Sequence, residues 1–279
     1  MILSLMGQEW GFFLCFVFWE KMMKIFESLK ETEALRVSDG QKIPFLTNSP
    51  SPSRLLVLLW SQLGDFDSLE YAWWLNKKSA EIIANNITVR AIGIGDRNSG
   101  LKFCQYTDFP QENLFIDPDA SIHKKLGLYE GLTWKIPALN QSQNAWVNLM
   151  LMCAGIGSKG TLKEVLRGYT GDKKAPQLIG EKEIVETNIL PPLKGSFFNL
   201  AGGETFQRPF ELATLRLRNM TEVLNNWKTY VPDAAYLTQR GATFLFDENG
   251  ELLYEHRDQG ILGFAENMSN PLSFLSFDS

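Results

Sequence analysis

The stretch RLLVLLWSQLGDFDSLEYA, residues 54–72, decides the fold of this chain. It contains six consecutive apolar residues, 55–60, which are typical of a strand buried on both faces of a parallel sheet. Asp67 and Glu70 follow at the spacing of a helix capping box, and the residues beyond them predict a helix that ends near Ala84. The stretch therefore predicts a strand that leads directly into a helix.

Strands and helices continue to alternate beyond this stretch. Residues 87–94 show the alternating pattern of a strand and are rich in β-branched side chains, so they predict a second strand. A helix is expected at 98–107, a short strand at 114–117 and a helix at 119–126. Near the end of the chain, residues 242–246 and 251–256 flank a turn at 247–250 and predict a β-hairpin. This order indicates a parallel α/β core.

The remaining segments divide the chain into five regions. We predict an apolar extension at 1–21, a lead-in helix and loop at 22–54, the first half of the core at 55–129, an insertion at 130–235, and a completing hairpin and tail at 236–279. In the insertion, Thr161 and Glu164 have capping-box spacing at the start of a short helix. Residues 175–207 indicate irregular structure, and 208–231 give the longest helical pattern, with Pro209 in its first turn.

The junction at residues 60–72 resembles the peroxiredoxin-like 2 branch of the AhpC/TSA, thioredoxin-fold superfamily, in its cyanobacterial and plastid form. Members of that branch carry Gly-Cys-x-x-Cys-x-Glu-x-Ala here, and Gly64, Glu70 and Ala72 match. Further matches, within about 55–130 and 236–263, are Gly93-Ile-Gly95, Phe103, Phe109-Pro110, Phe115-Ile-Asp117-Pro118, Leu126-Gly127-Leu128, and residues 241–247 and 253–258. The resemblance implies a thioredoxin-like α/β fold, a central mixed sheet flanked by helices, with a large helical and irregular insertion.

Asp65 and Ser68 stand where the resemblance places the two cysteines. A helix N-terminus stabilises a thiolate, and it stabilises a carboxylate in the same way. A carboxylate cannot pass through the oxidation and reduction steps of a thiol, and no base that would activate Ser68 is evident in the sequence. Two interpretations stay open. Asp65, Asp67 and Ser68 line a repurposed pocket, or they cap a helix at a site that has lost its activity.

The three cysteines, Cys15, Cys104 and Cys153, lie far apart in the sequence and form no CxxC motif. This excludes a CxxC redox centre and a Cys-rich zinc site. Cys104 is the candidate for a relocated catalytic thiol, although a lone cysteine on a helix is usually a small buried hydrophobe. Cys153 is expected to be a packing residue. The chain has only two histidines, and His256 is expected in a structural ion pair. No metal and no cofactor are indicated.

The overall charge of the chain argues against a nucleic-acid partner. With a net charge of -5, the chain has no broad basic field for nucleic acid or anionic lipid. A local basic face remains an alternative to solvated helix charges for five arginines: Arg208, Arg216, Arg218, Arg240 and Arg257. Residues 155–160, GIGSKG, fit G-x-G-x-x-G and form either an anion-binding loop or a plain turn.

Residues 10–19, WGFFLCFVFW, are apolar but fall short of the roughly 20 residues that span a bilayer. They also lack the basic start of a signal peptide. Three interpretations stay open: an extension ahead of a true start at Met22 or Met23, a helix with weak contact to a membrane surface, or an ordinary docked helix. We expect a cytoplasmic protein, peripheral to a membrane in the second case, or one in a stroma-like compartment if it is a plastid protein.

Two classes of function follow from these observations. The first is a thioredoxin-fold protein without CxxC thiols that binds a protein partner as an assembly or scaffold factor. The second is an antioxidant oxidoreductase, a thiol peroxidase that uses an atypical residue such as Cys104. Trp73, Trp74, Trp134 and Trp146 are either core residues or part of a surface that contacts another protein.

Overall fold

A seven-stranded mixed sheet forms the centre of the protein. The structure is a computed structural model and describes residues 25–47, 53–187 and 191–275, so the apolar extension with Cys15 lies outside the described residues. The strand order is β11-β10-β3-β4-β5-β1-β2. The strands are β1 (Glu33–Arg36), β2 (Lys42–Pro44), β3 (Arg54–Gln62), β4 (Ile87–Ile94), β5 (Leu114–Ile116), β10 (Ala242–Phe246) and β11 (Leu252–Arg257).

Strand β3 lies in the middle of this sheet. It pairs in parallel with β4, which pairs in parallel with β5, while β10 pairs with β3 in the antiparallel direction. Its residues are buried apart from partly exposed Arg54, because helices cover both faces of the sheet. The predicted fold class, a central mixed sheet flanked by helices, is confirmed, as are the strand at 87–94 and the closing hairpin.

Helices follow the strands of the core in the predicted order. They are α1 (described at residues 25–30), α2 (Phe66–Lys77), α3 (Ser79–Ala84), α4 (Arg97–Thr107) and α5 (Ser121–Lys125). The helix predicted to end near Ala84 is interrupted at Lys78, whose backbone leaves helical geometry at φ -108 and ψ 12. Each helix of the β-α-β units packs its apolar side chains on the sheet, which separates two apolar cores.

The segment before β3 differs from its prediction. Residues 33–36 and 42–44 form strands β1 and β2, so the expectation of only a helix and a loop there is wrong. Leu35 pairs with Ile116 of β5 and also faces Lys42 of β2. Backbone pairing along the open edge of β5 outweighs the weak local preference of this short segment.

Residues 130–235 contain the helices α6 (Gln141–Cys153), α7 (Thr161–Thr170), α8 (Glu211–Asn225) and α9 (Trp227–Tyr230). The stretch predicted as irregular contains a 3-10 helix (Gly195–Ala201) and short strands that form two small sheets: β6 (Asp172–Pro176) with β9 (Phe206–Gln207), and β7 (Ile184–Val185) with β8 (Leu193–Lys194). Pro209 precedes α8, so its predicted place in the first helical turn is wrong.

Side chains of this middle segment are part of the core. The guanidinium of Arg216 in α8 donates to both carboxylate oxygens of Glu70 in α2, at 2.7 and 3.1 Å. Arg216 also donates to the backbone carbonyl of Glu164 in α7 at 2.9 Å. One arginine therefore joins α2, α7 and α8, and it fixes the middle segment against the helix that follows β3.

Candidate functional site

Helix α2 begins where the resemblance places the two cysteines. Asp65 is its N-cap, with an extended backbone and a carboxylate that accepts the Asp67 N–H at 3.1 Å. The predicted capping box of Asp67 and Glu70 is therefore wrong. Two long-range contacts explain the difference, because the Asp67 carboxylate binds the backbone of Leu262 and the Glu70 carboxylate binds Arg216.

Arg240, from the loop before β10, lies fully buried against the start of α2. Its Nη2 is 2.6 Å from Oδ2 of Asp65, and its Nη1 is 3.6 Å from Oδ2 of Asp67. Nε donates to the carbonyl of Thr238 at 3.0 Å, which fixes the plane of the guanidinium. Although burial acts against the charge, the carboxylate of Asp65 raises the pKa of Arg240, which stays protonated.

Two further buried carboxyl groups complete an ion cluster, which we define as Asp65, Asp67, Arg240 and Asp258. Both oxygens of Asp67 accept the Leu262 N–H, at 2.8 and 2.9 Å, and Asp258 accepts the Gly241 N–H at 3.1 Å. Burial raises the pKa of Asp67 well above its usual value and the pKa of Asp258 to about 7. One guanidinium thus faces three carboxyl groups, and the buried ones tend to hold protons.

Ser68 is buried in the first turn of α2. Its hydroxyl donates to the carbonyl of Gln62 at 3.2 Å and lies 3.3 Å from the hydroxyl of Ser61. Neither neighbour is a base that could accept its proton, so the geometry does not activate Ser68 as a nucleophile. A cavity of only about 10 Å³ lies beside it, lined by Asp67, Tyr71, Thr243 and Asp258 among others, with room for about one water molecule.

Segments from the C-terminal half cover the start of α2. A Cβ atom at Gly64 would lie 2.9 Å from side-chain atoms of both Tyr230 and Val231, so this position requires glycine. The side chain of Gln62 donates to the carbonyl of Asp233, and the backbone of Leu262 is held by Asp67. These segments cover Gly64 and bury Asp67 and Ser68, while Asp65 and Phe66 stay partly exposed.

The two described cysteines have thiols of low reactivity. Cys104 in α4 is 4% exposed, and burial raises the pKa of its thiol to about 12. Cys153, the last residue of α6, is exposed, which differs from its predicted role in packing. Desolvation of its sulfur and the negative charge of Asp65 raise its pKa as well. The reactive thiolate that a peroxidase needs is not favoured at either position.

The histidines and the glycine-rich loop have structural contacts. His123 is buried between Asp117, 3.1 Å from its Nδ1, and the carbonyl of Trp60, 2.9 Å from its Nε2. His256 donates to the carbonyl of Gly263 at 2.8 Å and lies 3.7 Å from Asp258, and its expected ion pair stays a prediction. In the loop at 155–160, three backbone N–H groups donate to other carbonyls of the chain, so the geometry favours a turn.

The arginines do not form the basic face that was one of the alternatives. Arg208 is fully buried and donates to Glu211 at 2.5 Å, while Arg216 and Arg240 belong to the buried ion pairs described above. Sequence reasoning missed Arg240 as a residue of the site, because it lies 175 residues after Asp65. Its one signal in the sequence is its position directly before the strand motif at 241–247.

A second candidate site is a surface on α6. We define the α6 surface as Trp134, Ile136, Trp146 and Met150, which are all exposed. Asn144 and Asn148 of α6 hold the backbone of Ile136 and Trp134 along the helix, at 2.7 and 3.0 Å. On the other flank, Trp146 lies against Trp227 with ring centroids 4.7 Å apart. Exposed Lys135, between Trp134 and Ile136, is the only charged residue of the segment 131–158, so this surface is mainly apolar.

The described part of the chain contains neither a candidate membrane span nor a candidate metal centre. Across residues 25–47, 53–187 and 191–275, no helix has the length and apolar character needed to cross a bilayer. In that part of the chain, no three His, Cys, Asp or Glu side chains come together as a metal-binding group.

A family of known proteins matches a large part of the chain. A family model described as AhpC/TSA antioxidant enzyme matches residues 74–260, about two thirds of the chain. The matched range includes all of residues 130–235 and the residues Arg240 and Asp258, and it begins after the junction at 64–72 that holds Asp65 and Ser68. No curated protein matches the chain.

Proposed function

This chain belongs to the AhpC/TSA antioxidant enzyme family, and we propose that it is a non-catalytic, thioredoxin-fold member that binds a protein partner as an assembly factor. The proposal keeps the family's sheet and helices as a scaffold. It assigns no redox chemistry to the start of α2.

The observation that carries the proposal is the ion pair of Asp65 with Arg240. The helix N-terminus that would stabilise a thiolate instead stabilises the Asp65 carboxylate, 2.6 Å from a buried guanidinium. Removal of either partner would leave a charge with no counter-ion in a poorly solvated place, so the pair is a structural element. A carboxylate held in this way has no sulfur that a peroxide could oxidise.

The α6 surface supports the second half of the proposal. The centres of protein interfaces are enriched in Trp and Met and depleted of charged residues. The α6 surface has two Trp residues and Met150, whose exposed fraction is 61%, in a segment, 131–158, whose only charged residue is Lys135. Met is flexible and polarizable and adapts to the shape of a partner, while Trp residues often contribute most of the binding free energy.

The absence of catalysis is tested by peroxide consumption with a thioredoxin reducing system. We expect the wild type and Cys104→Ser to consume peroxide no faster than a control without protein. The rate of thiol alkylation should rise only at alkaline pH, because the pKa values of both described thiols are raised. Turnover by the wild type that is lost in Cys104→Ser would overturn the proposal and establish the antioxidant alternative.

Partner binding is tested by affinity capture from an extract of the source cells, with quantitative mass spectrometry. The test variant is Trp146→Gln with Met150→Gln, and the matched control is Leu166→Gln, an equally exposed apolar residue on α7. We expect a protein that is enriched by the wild type and the control but at least tenfold less by the double variant. Equal enrichment by all three would contradict a role of the α6 surface.

A further inference from the structure

Helix α7 has its apolar face turned toward the solvent. Leu162, Leu166 and Tyr169 have exposed fractions of 54%, 61% and 54%. Their spacing of four and three residues places them within about 60° on one side of the helix. The opposite side, which is buried, has Glu164 and Gly168 instead of large apolar side chains. Helix α7 is therefore amphipathic, but its apolar side faces the solvent and its polar side faces the protein, which is the reverse of the usual arrangement.

Ion pairs and a close backbone contact account for this orientation. Glu164 lies 2.9 Å from Nε of Arg167 and 3.5 Å from Nη2 of Arg216, so its charge is neutralised inside the protein. At Gly168, a Cβ atom would lie 3.3 Å from the backbone nitrogen of Ala213, which brings α7 close to α8. Ion pairs and close packing thus fix the inner side of α7 against the protein, and Leu162, Leu166 and Tyr169 are left exposed to the solvent.

Phe210 extends the apolar surface. Its ring is exposed and lies edge-on to Tyr169, with centroids 6.2 Å apart. It has a φ of 69°, a left-handed conformation that is unfavourable for a bulky residue, and its N–H donates to the carbonyl of Gly168. We define the α7 face as Leu162, Leu166, Tyr169 and Phe210. Beside it, an apolar cleft of about 210 Å³ is lined by Val165, Leu217 and Met220 among others.

The charged residues around the α7 face are predominantly positive on the outside. Lys159, Lys163, Lys173 and Lys174 are exposed, and none has an ion-pair partner among the described residues. The two acidic residues of the same segment point inward: Glu164 as described above, and Asp172, which lies 3.7 Å from Arg167 and accepts a bond from Ser269. Lys159, Lys163 and Lys174 also line a cleft that they share with β11. There, Glu255 pairs with Arg257, and the acidic residues of the cleft, including Glu266, are outnumbered by its basic residues.

We propose that the α7 face docks on an anionic lipid surface. Leucine and aromatic side chains on one face of a helix insert at the boundary between headgroups and acyl chains, and flanking lysines bind the anionic headgroups. The four lysines lie before, within and after α7, as expected for contact with a flat charged surface. This inference goes beyond the proposed protein partner, because it concerns another helix and another kind of ligand.

The test is co-sedimentation of the full chain with vesicles of phosphatidylcholine alone or mixed with phosphatidylserine. The apolar variant is Leu166→Gln with Tyr169→Gln, and the charge variant is Lys163→Gln with Lys173→Gln and Lys174→Gln. Ile83→Gln on α3 is the control, since Ile83 is an exposed aliphatic residue that belongs to neither the α6 surface nor the α7 face. Circular dichroism verifies that each variant is folded.

We expect the wild type and the control to sediment with the phosphatidylserine vesicles and not with phosphatidylcholine alone. Both α7 variants should bind at least about tenfold more weakly, and salt should weaken the binding of the wild type. Absence of binding to anionic vesicles would overturn the proposal. Equal binding by the α7 variants would also overturn it, since attachment would then reside elsewhere, for example in residues 10–19. Binding of an acidic amphipathic peptide without vesicle binding would assign the face to a protein and overturn the lipid proposal.

Discussion

The start of α2 and the α6–α7 region arrange polar and apolar groups in opposite ways. At the start of α2, Asp67, Arg240 and Asp258 are buried, and half-buried Asp65 pairs with Arg240. On α6 and α7, apolar side chains such as Met150 and Leu166 face the solvent, while the charge of Glu164 is turned inward. The polar groups of the first region contact one another inside the protein, whereas the apolar side chains of the second face the solvent.

This difference separates stability from binding. Buried ions stabilise the fold only as a complete set, because a single unpaired charge in the interior is costly. Exposed apolar side chains contribute little to folding and are available to other molecules. We therefore expect substitutions in the ion cluster to change the free energy of unfolding, and substitutions on α6 and α7 to change binding.

The largest effect is expected for Arg240→Leu. The substitution leaves Asp65 without its counter-ion and Asp67 without the nearby positive charge, in a place with almost no access to water. We expect the free energy of unfolding to fall by about 3–5 kcal/mol, measured by urea denaturation.

Arg257→Leu is the matched control for this prediction. Arg257 pairs with Glu255, and both side chains are partly exposed. Its loss should cost no more than about 1 kcal/mol. Equal losses for the two arginines would show that the buried cluster has no special role in stability.

The next effect is a dependence of stability on pH. Burial raises the pKa of Asp258 from 3.8 to about 7, so at intermediate pH the folded state holds a proton that the unfolded state has released. The stabilisation from this proton is complete below about pH 4 and is lost as the pH rises through about 7. The pKa of Asp67 is raised too and acts in the same direction.

Urea midpoints measured from about pH 5 to about pH 8 should therefore decrease. In Asp258→Asn, the carbonyl oxygen can still accept the Gly241 N–H, but the titrating proton is gone. We expect the decrease to become smaller in this variant. If the urea midpoint of Asp258→Asn decreased with pH as steeply as that of the wild type, the pH dependence would belong to another group.

The smallest effect is expected for Leu166→Gln and Met150→Gln. Each side chain is largely in solvent, so its replacement should change the free energy of unfolding by no more than about 0.5 kcal/mol. Thermal and urea denaturation of the two variants test this. A loss near that of Arg240→Leu would mean that these side chains belong to the core, and the contrast between the two regions would fail.

Much of the fold was predictable because its patterns are local. The six apolar residues of β3, the alternation in β4 and the turn between β10 and β11 each reflect interactions within about ten residues. Strands β1 and β2 were missed, since β1 pairs with β5, about 80 residues further along the chain, and β2 pairs with β1. The match to the AhpC/TSA family supports the superfamily that the resemblance suggested, and it begins at residue 74, after the junction.

The candidate site was only half predictable. Asp65 and Ser68 were found from the junction, because the resemblance fixes their positions at the start of a helix. The partner of Asp65 was not found, because nothing in a local pattern connects it to Arg240 across 175 residues. The net charge of -5 likewise hid the lysines around α7, because a total for the chain averages over all its surfaces.

From β3 onward, the sequence by itself determined which segments of the core become strands and helices, and that a carboxylate stands at the start of α2 where the resemblance places a thiol. Tertiary structure decided what those segments face. Helical periodicity places Leu162, Leu166 and Tyr169 on one side of α7 but does not say whether that side is buried. The Glu164–Arg216 contact and the close approach of Gly168 to α8 decided it, since both depend on residues about 50 positions away.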